Sequence, residues 1–286
     1  NITCNGASDG SIALTVADGT PPYTYAWTGP DSYTSTDEDP SALKAGNYSV
    51  IVTDDNGCTT TDNITLTEPD PLTISSITSP TYAGGYNITC NGASDGSIAL
   101  TVADGTPPYT YAWTGPDSYT STDEDPSALK AGNYSVIVTD DNGCTTTDNI
   151  TLTEPDPLTI SSITSPTYNG GYNISCNGYN DGSINIVISG GTSPYTFLWS
   201  GPAGYNSTNE DPIALKAGDY SVTVTDANGC NIPGNITLTE PVPLIISSIT
   251  SPTYAGGYNI SCNGLSDGSI ELTVADGTPA YSYAWT

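Results

Sequence analysis

Acidic and amide side chains recur in short turn-rich segments, and their oxygen atoms are the ligands that hard divalent cations prefer. The clearest cluster is "STDEDP", which becomes "STNEDP" in its third occurrence. We therefore predict Ca²⁺ as a cofactor, held at three equivalent sites: Asp37, Glu38 and Asp39; Asp123, Glu124 and Asp125; and Asn209, Glu210 and Asp211. The alternative is purely structural, because Asp, Asn and Gly also dominate turns for backbone reasons.

The seven cysteines stand in a chain without histidine, which rules out the usual Cys/His zinc site and favours disulfides in an oxidising, extracellular setting. Each period carries one cysteine in "CNG" and one in "NGC". We predict pairing within a period, as Cys4–Cys58, Cys90–Cys144 and Cys176–Cys230, which leaves Cys262 unpaired. A bridge between neighbouring units, such as Cys4–Cys144, is the alternative. In a simple sandwich, the loop after the first strand and the loop before the last strand lie at opposite ends. Free thiols are the third option.

Asn-x-Ser/Thr triplets recur along the chain and would accept N-glycans in a cell that makes them. The candidate acceptors are Asn1, Asn47, Asn63, Asn87, Asn133, Asn149, Asn173, Asn206, Asn235 and Asn259. The same Asn-Ile-Thr pattern also fits plain strand alternation, so the triplets leave both interpretations open.

Charge excludes several classes of partner. The chain of 286 residues has three lysines, no arginine and a net charge of −28. A nucleic-acid partner is excluded, because backbone contacts need clustered Lys or Arg. Adsorption to anionic membranes is disfavoured, and no run of about 20 apolar residues is present to insert into a membrane. The acidic pairs recur in every copy without any other acid–base group, so we predict that the protein is not an enzyme.

The sequence repeats with a period of 86 residues. Residues 1–86 and 87–172 differ only at Ala83 against Asn169, and the tryptophans recur at the same interval. The repeated "TEPDPL" holds two prolines around one residue and predicts a stiff connector between units. We place units at 1–69, 70–155, 156–241 and 242–286, of which the first and last are partial.

Alternating apolar residues predict short strands and no helix. Segments such as "SIALTV" (11–16), "YTYAW" (23–27) and "YSVIVT" (48–53) alternate with period 2 and are bounded by turn residues. Six or seven such strands in about 86 residues predict an all-β fold of tandem immunoglobulin-like β-sandwich repeats in an elongated array. Trp27 would fill the core, and Tyr48 would form a tyrosine corner.

Two longer segments carry a family resemblance. "CNGASDGSIALTVADGTPPYTYAWTGP" followed by "LKAGNYSVIVTDDNGCTTTDNITLTEP" resembles the SprB-type repeat of gliding-bacterium surface adhesins, and more distantly PKD-type immunoglobulin-like domains. The resemblance implies a very large repeat protein exported to the cell surface, and it supplies no catalytic residues.

Together these features predict a structural repeat segment of an extracellular cell-surface adhesin or filament, acting as a stiff spacer. Its partners would be neighbouring repeats or further copies in a filament. The alternative is a multivalent array of modules that bind carbohydrate or another ligand, with surface glycans as partners and avidity from multiplicity.

Overall fold

The computed structural model describes all 286 residues, which form short strands and four one-turn 3₁₀ helices. Residues 1–69 contain β1 (Gly10–Ser11), β2 (Thr24–Thr28), β3 (Thr34–Ser35), β4 (Ser41–Leu43), β5 (Gly46–Thr53) and β6 (Thr59–Leu66). Residues 70–155 contain β7 (Thr73–Thr78), β8 (Gly96–Ser97), β9 (Ala99–Ala103), β10 (Thr110–Thr114), β11 (Thr120–Ser121), β12 (Ser127–Leu129), β13 (Gly132–Thr139) and β14 (Thr145–Leu152).

The third period repeats this order, and the fourth is partial. Residues 156–241 contain β15 (Thr159–Thr164), β16 (Gly182–Ser183), β17 (Asn185–Ser189), β18 (Thr196–Gly201), β19 (Tyr205–Ser207), β20 (Ile213–Leu215), β21 (Gly218–Thr225) and β22 (Asn231–Leu238). Residues 242–286 contain β23 (Ile245–Thr250) and β24 (Glu271–Ala275). The 3₁₀ helices are Pro30–Ser32, Ala83–Gly85, Pro116–Ser118 and Pro202–Gly204.

Period-2 alternation decides which face of each strand is buried, as β13 illustrates. Tyr134, Val136 and Val138 are each no more than 1% exposed, whereas Ile137 between them is 48% exposed. Successive side chains of a strand point to opposite faces, so one face of β13 packs in the core while the other meets water.

Two facing sheets form the second repeat. The first sheet pairs β7 with β9 and β8 with β12, and β8 and β9 are separated by Ile98 alone. The second sheet has the order β11-β10-β13-β14, and all its pairings are antiparallel. Every strand pairing in the chain joins strands of the same predicted unit. The unit boundaries themselves remain a prediction.

The core of the second repeat lies between these sheets. Ile98 and Leu100 from the first sheet pack with Trp113 and Val136 from the second, and the Trp113 side chain is 1% exposed. The Tyr134 hydroxyl donates a 3.0 Å hydrogen bond to the carbonyl oxygen of Lys130, four residues upstream. This is the predicted tyrosine corner. The all-β, immunoglobulin-like sandwich fold is therefore confirmed.

Residues 13–17, which match β9 of the second repeat, form no strand pairing. Consequently Ile64 on β6 is 43% exposed, whereas the equivalent Ile150 is half-buried. In the fourth repeat, β23 pairs with β24 and Trp285 is 60% exposed.

The chain divides into two compact bodies. The first comprises residues 1–88 and 92–154, and the second comprises residues 89–91 and 155–286. The first body thus holds the first two sandwiches. The second body holds the third sandwich, the partial fourth repeat and the three-residue segment 89–91.

None of the helices has the length and apolar character needed to cross a membrane.

Candidate functional site: the joint between repeats

The two cysteine-bearing loops of one repeat lie at opposite ends of its sandwich. In the second repeat, the loop that leads into β14 lies beside the loop before β10, because the Asp141 amide donates to the Thr106 carbonyl oxygen at 2.9 Å. The loop after β7 lies instead at the far end of β14, where the Ile88 amide donates to the Thr153 carbonyl oxygen at 3.1 Å. The equivalent contacts of the first repeat, from the Asp55 amide to the Thr20 carbonyl oxygen at 2.9 Å and from the Ile2 amide to the Thr67 carbonyl oxygen at 3.0 Å, place Cys4 and Cys58 at opposite ends in the same way.

The disulfides consequently join different repeats. Cys4 bonds to Cys144 with a Cα–Cα distance of 5.6 Å, and Cys90 bonds to Cys230 with a distance of 5.7 Å. Cys58, Cys176 and Cys262 are exposed free thiols. The predicted pairs Cys4–Cys58, Cys90–Cys144 and Cys176–Cys230 are thus wrong, and the alternative bridge between units, Cys4–Cys144, is the one that forms.

A hydrogen bond accompanies the Cys4–Cys144 bridge in the first body. The Asn142 side-chain amide donates to the Thr3 carbonyl oxygen at 3.2 Å and to the Thr106 hydroxyl at 2.9 Å. One amide group therefore ties the "CNG" loop of the first repeat to two loops of the second. The joint is held by a covalent bond and by polar contacts at the same place.

The linker between the repeats is fastened to the same "CNG" loop. The Gly6 amide donates to the Glu68 carboxylate at 2.6 Å, and the Asn5 side-chain amide donates to the Pro69 carbonyl oxygen at 3.1 Å. The residues of "TEP" (67–69) thus lie against the loop that carries Cys4. The linker is not a free tether.

The far end of the linker is anchored in the second repeat by Leu72. Leu72 packs against the core of that repeat, and a Cβ placed on Gly105 would lie 2.9 Å from the Leu72 Cδ1 atom. Gly105 also has a φ of +69°, a left-handed conformation that favours glycine. Gly105 therefore leaves space for the Leu72 side chain of the linker and also allows the left-handed backbone conformation of the turn.

A single aspartate shapes the loop that presents each "NGC" cysteine. The Asp140 side chain is 6% exposed and accepts hydrogen bonds from the amides of Thr106, Asn142 and Cys144 at 2.8–3.0 Å. In the first repeat, the amides of Cys58 and Thr20 bond to the equivalent Asp54 and lower the pKa of its carboxyl group. The amide hydrogen bonds stabilise the charged form of the carboxylate, and the same bonds hold the loop in place.

The second body contains the same set of contacts around its segment 89–91. Besides the Cys90–Cys230 bond, the Asn228 side-chain amide donates to the Thr89 carbonyl oxygen at 3.2 Å, and Asn91 donates to Pro155 at 3.0 Å. The pattern is therefore a property of the repeat and does not depend on one pair of loops.

The predicted calcium ligands take separate partners. In the first repeat, Asp37 accepts from the Ser35 hydroxyl at 3.0 Å and Asp39 accepts from the Leu14 amide at 2.9 Å, while Glu38 bonds to the Tyr25 hydroxyl. The equivalent residues of the other copies, Asp123, Glu124, Asp125, Asn209, Glu210 and Asp211, lie in the same turn. No group of three or more acidic or sulfur side chains is placed to hold a metal ion. Calcium binding stays a prediction.

The same turn has one electrostatic consequence. Burial and the hydrogen bond to Glu124 raise the pKa of the Tyr111 hydroxyl to about 12. The tyrosine therefore remains a neutral donor to the carboxylate far above neutral pH.

The Asn-x-Ser/Thr candidates divide into two groups by position. Asn47, Asn133 and Asn206 are exposed, as are Asn1, Asn63, Asn149, Asn235 and Asn259. Asn87 and Asn173 are half-buried, and the Asn87 side-chain oxygen accepts hydrogen bonds from Thr153. Whether any of them carries a glycan stays a prediction.

Sequence reasoning missed the polar contacts of the joint. Gly6 of "CNG" and Glu68 of "TEP" are joined by a hydrogen bond although they stand 62 residues apart in the sequence. The only sequence signal that links the two motifs is that both recur with the period of 86 residues. It marks both motifs as parts of the repeat but does not place them in contact.

A comparison with protein-family models matches the SprB repeat at residues 1–32, 86–118, 172–204 and 258–286. No curated protein matches the chain.

Several solved structures are similar to the chain. The amphioxus IgVJ-C2 molecule is 13% identical, with a TM-score of 0.26, over 52% of this chain and 98% of its own. The insect immune protein hemolin is 12% identical, with a TM-score of 0.27, over 84% of this chain and 73% of its own. A tetra-tandem repeat from the extending region of a large adhesion protein is 12% identical, with a TM-score of 0.23, over 95% and 81%. The immunoglobulin-like fold of this chain is assigned from its own strand order and not from these similarities.

The four matched segments begin 85 or 86 residues apart, which is the spacing of the internal repeat. A chain of such repeats fits the repeat region of a cell-surface adhesin, and its two disulfides are consistent with an extracellular location. Each of the four periods thus contains a segment that matches the SprB repeat, as the resemblance of its motifs predicted.

Proposed function

We propose that this chain is a stiff, non-enzymatic spacer within an extracellular cell-surface adhesin, in which each repeat holds its neighbour at a fixed angle. The observation that carries the proposal is the Cys4–Cys144 bond, which adds a second covalent connection to the joint inside the first body. Two repeats joined by a linker alone can change their relative orientation. A second connection at a different point restricts this motion.

The polar contacts of the joint support the same role. Asn142 bonds to the Thr3 carbonyl oxygen beside the disulfide, and Glu68 and Pro69 hold the linker against the "CNG" loop. Each such hydrogen bond contributes about 0.5–1.5 kcal/mol. Because these groups recur in each period, every joint of a longer array would take the same geometry.

The surface charge also suits a spacer. A net charge of −28 keeps copies of the chain apart and in solution through electrostatic repulsion. Lys44 and Lys130 form exposed salt bridges with Asp31 and Asp117, each at 2.9 Å. Exposed pairs of this kind add little to stability, and each lies within a single repeat, so neither restrains the joint.

Single-molecule fluorescence tests the proposal. Dyes attached without cysteine chemistry at the exposed Ala42 and Ala128 report the distance between the first two repeats. We expect a narrow distance distribution for the oxidised chain and a broader one for the Cys4→Ser/Cys144→Ser variant. Cys58→Ser, which removes a free thiol outside the bond, is the control and should leave the distribution narrow. Equal widths in all three proteins would refute the spacer role.

The alternative, a multivalent ligand-binding array, makes a different prediction. It requires saturable binding of a glycan or another ligand by the oxidised chain, with affinity that survives the loss of the Cys4–Cys144 bond. A glycan array probed with the intact chain and with the double variant separates the two functions.

A further inference from the structure

The last long strand of the second and third sandwiches begins directly after a bonded cysteine. β14 (Thr145–Leu152) follows Cys144, and β22 (Asn231–Leu238) follows Cys230. A β-strand rises about 3.4 Å per residue, which is close to the greatest reach of the backbone. A pull on the two ends of such a strand therefore adds almost no length.

The far end of β14 is held beside the next bonded cysteine. The Ile88 amide donates to the Thr153 carbonyl oxygen at 3.1 Å, and the Gly92 amide donates to the Glu154 carboxylate at 2.6 Å. We call these two hydrogen bonds the strand-end contact. Their donors stand on either side of Cys90 in the sequence. The contact therefore fastens the end of β14 to the segment that carries the next disulfide.

The first repeat has the same contact at the end of β6, where the Ile2 amide donates to the Thr67 carbonyl oxygen at 3.0 Å. Within the first body, a continuous series of connections thus runs from β6 through this contact to Cys4, across the disulfide to Cys144 and along β14 to Thr153. We call this series the tension path. It crosses the second sandwich along a single strand.

A pull would take another route if the Cys4–Cys144 bond were missing. It would enter the second repeat through the linker at Leu72 and leave it at Thr153. Leu72 leads into β7 of the first sheet, whereas Thr153 follows β14 of the second sheet. The pull would then have to cross between the sheets, through side chains such as Ile77 that pack against the core. The disulfide therefore moves the pull from side-chain packing onto the backbone of one strand.

The two disulfides also limit how far the chain can lengthen once its sandwiches open. They join residue 4 to residue 144 and residue 90 to residue 230, so the shortest covalent route between the bonds is the 54 residues from 90 to 144. Fully extended, this segment spans about 190 Å. Without the bonds, the route from residue 4 to residue 230 has 226 residues and spans about 790 Å.

We propose that this chain bears tension. A pull on its two ends is carried by the tension path, and the overlapping disulfides set the greatest length to which the chain can be stretched. The inference goes beyond the spacer role, since repeats can be held at a fixed angle without resisting a pull.

Stretching single chains between peptide tags at the two ends tests the length limit. All chains carry serine at the three free thiols, so that no other disulfide forms. Cys90→Ser/Cys230→Ser changes the shortest route between residues 4 and 230 from 54 to 86 residues and should lengthen the fully stretched chain by about 110 Å. Adding Cys4→Ser/Cys144→Ser changes this route from 86 to 226 residues and should add about 490 Å. Equal increments, which two separate loops would give, would overturn the proposed limit.

Ile77→Ala tests the tension path, because the packing of Ile77 carries the pull only when the Cys4–Cys144 bond is missing. In the Cys4→Ser/Cys144→Ser chain, we expect the substitution to open the second repeat at least about tenfold faster at a constant pull. In the oxidised chain, the opening rate should change less than about threefold. A disulfide that only stabilised the fold would give the same ratio in both chains, and equal ratios would overturn the tension path.

Thr78→Ala is the matched control, because this neighbouring side chain on β7 is exposed. It should leave the opening rate unchanged in both chains. Neither stretching experiment depends on the width of the distance distribution that tests the spacer role, so the two proposals can fail separately.

Discussion

A single carboxylate organises each "NGC" loop. Asp140 and Asp226 are both 6% exposed, and each accepts amide hydrogen bonds from the loop that carries the bonded cysteine. In the first repeat, the same position is Asp54, whose pKa is lowered by the amides of Cys58 and Thr20. In the first repeat, the position of the Cys58 thiol therefore depends on the ionised form of Asp54.

The pH dependence of this loop follows from the direction of the pKa shift. A carboxyl group whose pKa is lowered in the folded state stabilises the protein above its unfolded pKa of about 3.9, and this contribution disappears as the pH falls through the folded pKa. We expect Asp54→Asn to lower the free energy of unfolding at pH 6, with the difference from the natural chain shrinking below about pH 4. Urea denaturation at pH 6 and pH 3 measures it.

Asp55→Asn is the matched control, because it removes one charge from the same turn. Its effect should reflect only the reduced repulsion in a strongly acidic chain. A difference for Asp54→Asn that stays constant down to pH 3 would contradict the role of its ionised form.

At the scale of elements, the sequence predicted the strands well where alternation is long. The predicted strand 48–53 lies inside β5, and the predicted 23–27 lies within one residue of β2. The strand predicted at 11–16 corresponds in the second repeat to β8 and β9, which are interrupted only at Ile98, whereas in the first repeat only Ser11 of it lies in a strand. Alternation marks a segment that can form a strand, whereas the strand itself needs a partner, and residues 13–17 are unpaired.

The cysteine pairing could be predicted only in part. Spacing alone left the partner of Cys4 open, because Cys58 and Cys144 stand in identical local sequences. The strand order decides it, since it places the two cysteine loops of one repeat at opposite ends. Long-range contacts such as Glu68 with Gly6 depend on the same strand order and leave no trace in local sequence.

A turn between strands supplies a steric prediction. Gly115 begins the turn after β10, and a Cβ there would lie 2.6 Å from the ring of Tyr134, although its φ of −162° is extended and suits any residue. We expect Gly115→Ala to lower the free energy of unfolding by about 1–3 kcal/mol, because the tyrosine ring must move within a packed core.

Chemical denaturation followed by tyrosine and tryptophan fluorescence measures this change. Thr114→Ala, at the exposed neighbouring position, is the control and should change stability by less than about 0.5 kcal/mol. If Gly115→Ala is as stable as Thr114→Ala, the Tyr134 ring does not restrict the side chain at position 115.

For the whole molecule, the cross-joint disulfide is a large contribution to stability. Cys4 and Cys144 are 140 residues apart in sequence, and closing a loop of that length in the unfolded chain contributes about 5 kcal/mol in the chain-entropy account. We expect the Cys4→Ser/Cys144→Ser variant to unfold at a clearly lower denaturant concentration than the oxidised chain. Cys58→Ser should not change the midpoint, and a midpoint shared by all three chains would contradict the estimate.

The two disulfides overlap along the sequence, because Cys90 lies inside the span closed by Cys4 and Cys144, and Cys144 lies inside the span closed by Cys90 and Cys230. A protease that cuts one peptide bond anywhere between residues 4 and 230 therefore leaves the two fragments covalently attached. A nicked chain should migrate as one band on a non-reducing gel and as two after reduction. On a cell surface exposed to proteases, this chain would stay in one piece after a single cut that would divide a polypeptide without such disulfides.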